Sequence, residues 1–263
     1  MQLVEATDEH PVRIQIDDGV GVVTMHRPEA RNAISPAMRR ALRSSLADLG
    51  SNDAVRVIIL TGSDPAFSAG LDLKMLGDEP SAFLSDGSTG SSSPFPELTK
   101  PLIGAINGVA ITGGFELALN CDFLIASERA RFADTHARVG VMPGWGLTPL
   151  LADAVGRTRA REISLTGNFV TADEALRWGL VNRVVAHDDL MSTVLAIAAD
   201  IAGNDPVGVS QMLATYRSQE AAALDDMWRL ESEGAADFRE TTTPGADVAA
   251  RRDQIMERGR SQL

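Results

Sequence analysis

Glu116 is a single glutamate set two residues after the Gly113-Gly114 pair, inside the otherwise apolar run Gly104–Ala126 (GAINGVAITGGFELALNCDFLIA). The glycines let the backbone approach a ligand closely, and a helix is predicted to start there. The carboxylate then falls in the first turn, beside the unpaired amides that end a helix. A glutamate held near fixed N–H donors in apolar surroundings suits acid–base chemistry on a carbonyl compound. The same pattern also suits an ordinary helix whose early glutamate favours the macrodipole.

A second segment points the same way. Phe67–Met75 (FSAGLDLKM) follows the apolar run Val55–Leu60 and the turn residues Thr61-Gly62, so its loop amides can also face a ligand. Together, ITGGFELALNCD and AFSAGLDLKM resemble the crotonase superfamily, the enoyl-CoA hydratase/isomerase family. Further segments follow in family order: RPEARNAI (27–34), KPLIGAINGVA (100–110), ARFADTHARVG (130–140), PGWGL (143–147) and LTGNFVTADEALRWGLVNRVV (165–185). The likeness spans residues 12 to 240.

The resemblance implies an α/β chain of the crotonase (ClpP-like) type, a spiral of ββα units with sheets packed nearly at right angles. It also implies a helical C-terminal trimerisation region, giving a homotrimer or a dimer of trimers. Residues 1–200 are expected to form the core with an acyl-CoA site, and residues 201–263 the helical part. The implied activity is that of an enoyl-CoA hydratase, a lyase of lipid metabolism that adds water to a trans-2-enoyl-CoA. No cofactor is implied beyond the coenzyme A of the substrate. In the family, two backbone amides hold the thioester oxygen; carried over, they fall on Leu71, after Ala69-Gly70, and on Gly113. Many members have three glycines where this chain reads Thr112-Gly113-Gly114, and a threonine narrows the backbone allowed there.

Glu116 matches the glutamate that activates water. Hydratases with two glutamates carry the second twenty residues later, which here is His136. Histidine titrates near neutral pH and can replace the acid/base partner, or it can be a core residue that only hydrogen-bonds. Asp134, two residues earlier, would face the same side on a strand. Gly144 matches a glycine that helps position water, and Trp145 beside it reads as pocket wall. Lys74, Arg31 and Arg27 are candidates to hold coenzyme A, and each also reads as plain solvated charge. Other family reactions (isomerisation, C–C cleavage, dehalogenation, thioester hydrolysis) and a non-catalytic acyl-CoA-binding paralogue are the alternatives. Gly113-Gly114 as a phosphate cradle is a weak one, since no G-x-x-x-x-G-K-[ST] motif is present.

Composition agrees with this reading. The chain has 263 residues, 44% of them hydrophobic, and no apolar run of membrane-spanning length. A net charge of −12 disfavours nucleic acid as a partner and requires local cations at any coenzyme A site. The beginning MQLVEATDEHPV lacks the pattern of a secretory signal, and the one cysteine, Cys121, fits a reducing cytoplasm. Its apolar surroundings mark it as core. The four histidines, His10, His26, His136 and His187, have no ligand spacing, so no metal is expected.

The positioning elements follow from local pattern. A hairpin is predicted over Arg13–Ile16 and Gly21–Met25, turning at Asp17-Asp18-Gly19. A helix starts with Ser35 as cap and Pro36 in its first turn, with Met38, Ala41, Leu42, Leu46 and Leu49 at helical spacing. Val55–Leu60 and Leu102–Ile106 read as strands covered on both faces. Gly77–Pro96, rich in Ser, Gly and Pro, reads as a spacer or as a lid beside an acyl pocket. Helices are predicted over Arg159–Leu165, Ala172–Trp178, Leu190–Ala202 and Val207–Phe238. No sequence repeat of fixed period is evident.

Overall fold

Two sheets share the work of the core, and the chain passes between them in a regular rhythm. The computed structural model describes residues 2–78, 93–241, 254 and 256–261. The larger sheet contains β1 (Gln2–Val4), β2 (Val12–Asp17), β3 (Val20–Met25), β4 (Val57–Gly62), β6 (Leu102–Ile106), β8 (Phe123–Ser127) and β11 (Arg183–Val185), in that spatial order. Its first three strands pair antiparallel and the rest parallel. The smaller sheet has the order β10 (Val170–Thr171), β9 (Arg131–Ala133), β7 (Val109–Ile111) and β5 (Ala66–Ser68). Three visits to the larger sheet are each followed by one to the smaller and then by a helix. The units are β4-β5-α2 (Leu73–Asp78), β6-β7-α3 (Gly113–Leu119) and β8-β9-α4 (His136–Val139). This is the expected succession of ββα units. They begin at Val57, Leu102 and Phe123, spacings too unequal to leave a repeat in the sequence.

The apolar runs are continuous because both faces of the larger sheet are covered. On β4, Ile58 and Leu60 face the main core with Met38, Leu42 and Leu46 of α1 (Pro36–Ser51). Val57 and Ile59 face the other way, against Leu190, Val194 and Ala198 of α8 (Leu190–Ala202). The predicted cap is present: Ser35 Oγ accepts from Met38 N–H at 3.1 Å, and Pro36 occupies the first turn. The hairpin turns over Asp18-Gly19, both at positive φ. Strand β4 starts and ends two residues later than its hydrophobicity suggests. Its pairing with β3 continues through Met25↔Gly62, and Gly62 N–H reaches Asn107 Oδ1 at 3.3 Å.

The C-terminal half is helical, as expected: α5 (Leu147–Val155), α6 (Arg157–Thr166), α7 (Ala172–Trp178), α8 and α9 (Pro206–Thr241). Helix α7 begins with a capping box in which Thr171 and Glu174 satisfy each other's backbone N–H. The long α9 packs on α5 and leaves Val207, Met212, Tyr216 and Leu230 exposed. Of the predicted spacer or lid over Gly77–Pro96, residues 79–92 lie outside the described residues.

Helix α3 is pressed against β5 at Gly114, where a Cβ would sit 2.5 Å from the Ser68 carbonyl oxygen. That contact is to backbone and has nowhere to yield. Gly114→Ala is therefore expected to destabilise the fold by about 1–3 kcal/mol, the usual cost of overpacking, read as a lower urea midpoint with an unchanged slope. An unchanged midpoint would mean that α3 can move off β5.

Candidate functional site

Three chain segments far apart in sequence converge on one end of α3. The loop after β5 is locked to the segment before α1 by Ile34 N–H donating to the Gly70 carbonyl at 2.8 Å and Asp72 N–H to the Ile34 carbonyl at 3.2 Å. In that arrangement residue 71 alternates with its neighbours and its own N–H points away from Ile34. The N–H of Gly113 is the first of α3 and has no partner within the helix. Neither amide has a hydrogen-bond acceptor among the described residues. A Cβ built on Gly113 would lie 3.4 Å from Trp145 and 3.7 Å from Leu71, so these three residues border one space. Trp145 forms its wall, with the Arg39 guanidinium 5.1 Å from the ring centre.

Thr112 just precedes α3 with φ 53° and ψ −114°, a conformation a β-branched residue rarely takes. Its N–H donates to the Ala133 carbonyl at 2.9 Å, and its hydroxyl is bonded to that of Thr135. Those two bonds hold the strained turn in place. Thr112 thus ties α3 to the segment leading into His136.

Glu116 is buried, 3% exposed. Its Oε1 accepts from Trp145 N–H at 2.8 Å and from Gly144 N–H at 3.2 Å, while Oε2 lies 3.5 Å from His136 Nε2. The other ring nitrogen, Nδ1, is 2.6 Å from Asp134 Oδ1. The expectation that Asp134 and His136 share a strand face is corrected here. Strand β9 stops at Ala133, and His136 opens α4. The contact forms instead because the Asp134 carboxylate also accepts the His136 N–H at 3.1 Å, folding the backbone back on itself.

The imidazole therefore stands between two buried carboxylates. Burial opposes its charge, but the Glu116 charge and the hydrogen bonds the ring donates to Asp134 and Glu116 outweigh it and raise its pKa from 6.5 to about 10. For Asp134, burial pushes upward, yet the hydrogen bond and charge of His136 leave its carboxyl below the usual range. The favoured state is a carboxylate–imidazolium–carboxylate row.

The remaining predicted residues divide. Ala69, Leu71, Arg31 and Lys74 line one cleft of about 790 Å³ beside Thr112 and Thr135. Arg31 and Lys74 are exposed at its edge. Arg27 is not free for a ligand: its guanidinium donates to Asp72 at 3.2 Å and to the Ala33 carbonyl at 2.8 Å. Arg138 and Arg260 also line the cleft and were missed: Arg138 lies within the 130–140 segment without standing out there, and Arg260 lies beyond every family segment. Asn120 was missed too. Its side chain donates to the Trp145 carbonyl at 2.8 Å and helps hold the loop on α3. Cys121 packs against the core, its thiol pKa pushed well up by burial and the nearby Asp122. His26 is bonded to Ser63, and His187 bridges Ser127 and Asp64, both away from Glu116.

Known proteins resemble this chain over most of its length. The family described as enoyl-CoA hydratase/isomerase matches residues 15–246. A "Probable enoyl-CoA hydratase 1, peroxisomal" of Arabidopsis thaliana is 40% identical over 202 residues, 76% of each chain. A "Probable enoyl-CoA hydratase" of Rhizobium meliloti is 40% identical over 217 residues, 81% of this chain and 84% of its own. A crystal structure of an enoyl-CoA hydratase from Mycobacterium avium matches with a TM-score of 0.81 at 47% identity, covering 88% of this chain and 98% of that one.

The row of charges makes stability depend on pH in a definite direction. Because the folded pKa of His136 is raised, its contribution is fully present below the unfolded value of 6.5 and is lost as pH climbs through about 10. The unfolding free energy should fall over that window in the native protein, and His136→Gln should flatten the fall. Equal slopes in the two proteins would place the proton elsewhere.

Proposed function

The chain belongs to the enoyl-CoA hydratase/isomerase family, and we propose that it is an enoyl-CoA hydratase adding water to a trans-2-enoyl-CoA. The observation that carries this reading is the Glu116–His136 pair, 3.5 Å apart, at the end of a space bordered by the amides of Leu71 and Gly113. The thioester oxygen accepts from those two N–H groups. Glu116 takes a proton from water, whose oxygen attacks the β-carbon. The double-bond electrons move toward the thioester, and the oxyanion hole holds the enolate in place of solvent. The enolate collapses by taking a proton at the α-carbon from the His136 imidazolium. Glu116 then returns its proton to His136, and the net change is addition of one water. Asp134 keeps the ring oriented and favours its charged form.

Histidine does here what a second carboxylic acid does in two-glutamate hydratases, and burial between two carboxylates suits it to that role. Arg31 and Lys74, with Arg138 and Arg260, supply the local cations that a coenzyme A phosphate needs on a chain of net charge −12. No further cofactor enters the reaction. The same reading divides the chain into a core over residues 1–200 and a helical part over residues 201–263. It assigns the enzyme to lipid metabolism in the cytoplasm, in keeping with its single cysteine. Among the described residues, no helix is long and apolar enough to cross a membrane.

Glu116→Gln keeps the size of the side chain and removes the base. Turnover of crotonyl-CoA, followed by loss of enoyl absorbance, should drop roughly 10²–10⁴-fold with binding largely kept. Near-native turnover would take Glu116 out of the mechanism, and release of free thiol in place of hydration would indicate thioester hydrolysis. Hydration should also decline as pH rises toward about 10, the value for His136. His136→Ala should lose that alkaline limb and slow the reaction, and His136→Glu should recover part of it. An unchanged profile in His136→Ala would make the ring a spectator.

A trimer or a dimer of trimers is the assembly this reading expects. Val207, Met212, Tyr216 and Leu230 leave apolar surface on α9 that a neighbouring subunit would cover. Light scattering should report three or six times 28.0 kDa. A stable monomer at micromolar concentration would remove the trimer.

A further inference from the structure

Glu231 lies on α9, far in sequence from every motif, yet it is 6% exposed and aimed at the catalytic loop. One of its oxygens accepts from Gly146 N–H at 2.7 Å. The other accepts from Thr148 N–H at 2.6 Å and from the Thr148 hydroxyl at 2.5 Å. The two preceding amides, of Gly144 and Trp145, are those that hold Glu116 Oε1. Two carboxylates from different helices thus grip one short turn, Glu116 at its start and Glu231 at its end. Trp228, one helical turn before Glu231, closes the remaining freedom. Gly146 has φ +84°, and a Cβ there would come within 1.8 Å of the Trp228 ring.

A carboxylate at the start of α5 would be satisfied as an ordinary cap, at Gly146 and Thr148 alone. This one does more, because the turn it fixes is short. Gly144 and Trp145 can hold Glu116 Oε1 only while the next residues keep their place, and that hold is what leaves Oε2 turned toward His136. Glu231 and Glu116 also sense each other's charge. Burial raises the Glu231 carboxyl, its bonds to Thr148 oppose that rise, and the Glu116 charge adds to it.

We propose that Glu231 is a positioning residue for the reaction, holding the Gly144–Thr148 turn so that its first two amides orient Glu116. The long C-terminal helix is then part of the active site, and whatever moves α9 moves the base. The claim rests on the hydratase reading for its catalytic consequence, but its structural half can be tested without turnover.

The experiment compares the full-length native chain with Glu231→Gln, and with Thr148→Val, which removes a single hydroxyl and keeps the fold should the first variant unfold. Amide exchange is measured at single residues. In Glu231→Gln, exchange at Gly144 and Trp145 should rise about 10-fold or more while the β6 amides stay protected, and Thr148→Val should raise it in the same direction by a smaller factor. With crotonyl-CoA, kcat should fall on the order of 10-fold with KM within about two-fold, because the coenzyme A cleft is elsewhere. In a Glu116→Gln background the Glu231 substitution should then have no further effect on kcat, since its role runs through Glu116. Unchanged exchange at Gly144 and Trp145 in the variants would reduce Glu231 to a cap and overturn the proposal. An equal loss of kcat with and without Glu116 would do the same. If the native chain hydrates no enoyl-CoA while the exchange coupling is present, the hydratase reading fails and the positioning of Glu116 by Glu231 stands.

Discussion

A buried charge has to be answered where it sits, and in this molecule the charge is that of Glu116. An unpaired carboxylate in an apolar interior costs several kcal/mol, and removing one partner of a buried pair costs about 3–5 kcal/mol. Here two backbone amides take one oxygen and an imidazolium faces the other. The imidazolium in turn needs Asp134. Each answer recruits another chain segment: the turn after Gly144, the loop after β9, and through Glu231 the far end of α9. The site's geometry is largely the solution to giving one buried carboxylate its partners.

The alternating path between sheets is what makes that solution possible. Every ββα unit brings a loop or a helix start to the same end of the structure, so Leu71, Gly113 and His136 are delivered by three successive units. The close contact at Gly114 sets how far α3 can lie from β5, and so how the Gly113 amide sits relative to Leu71. Packing distance and the spacing of these two amides are one constraint. The cleft cations follow a different logic. On an acidic chain their field is local and screened within about 8 Å at physiological salt, so they can hold a phosphate that is already near but cannot draw it from afar.

Much of this was legible in the amino-acid sequence, for identifiable reasons. Ser35-Pro36 marks a helix start by chemistry alone, and the apolar runs at β4 and β6 mark strands covered twice. Glu116, Gly113 and Leu71 could be named as candidates because their motifs are local and resemble those of a known family. The ββα repeat was not, since its units differ in length and in side chains while sharing only a path. Asp134 was paired with His136 for the wrong reason: a strand was assumed where the backbone turns. Arg27 looked available because nothing local announces that Asp72, distant in sequence, claims it. Arg138 and Asn120 lie within the family segments but did not stand out there, and Arg260 and Glu231 carried no signal at all. The significance of those last two arises only when α9 and the last described residues are folded back on the core.

The pairing of β4 with β6 and of β6 with β8 is parallel, and parallel neighbours must be joined by long connections. Such contacts close large loops before any stabilisation is returned, which slows folding. The site here is assembled from the ends of those loops and from a helix near the end of the described chain. During synthesis, therefore, the core can begin to gather while Glu116 still lacks the loop and helix that orient it. The protein comes off the ribosome as a scaffold first, and the surroundings of Glu116 are complete only once α9 has folded back on the core.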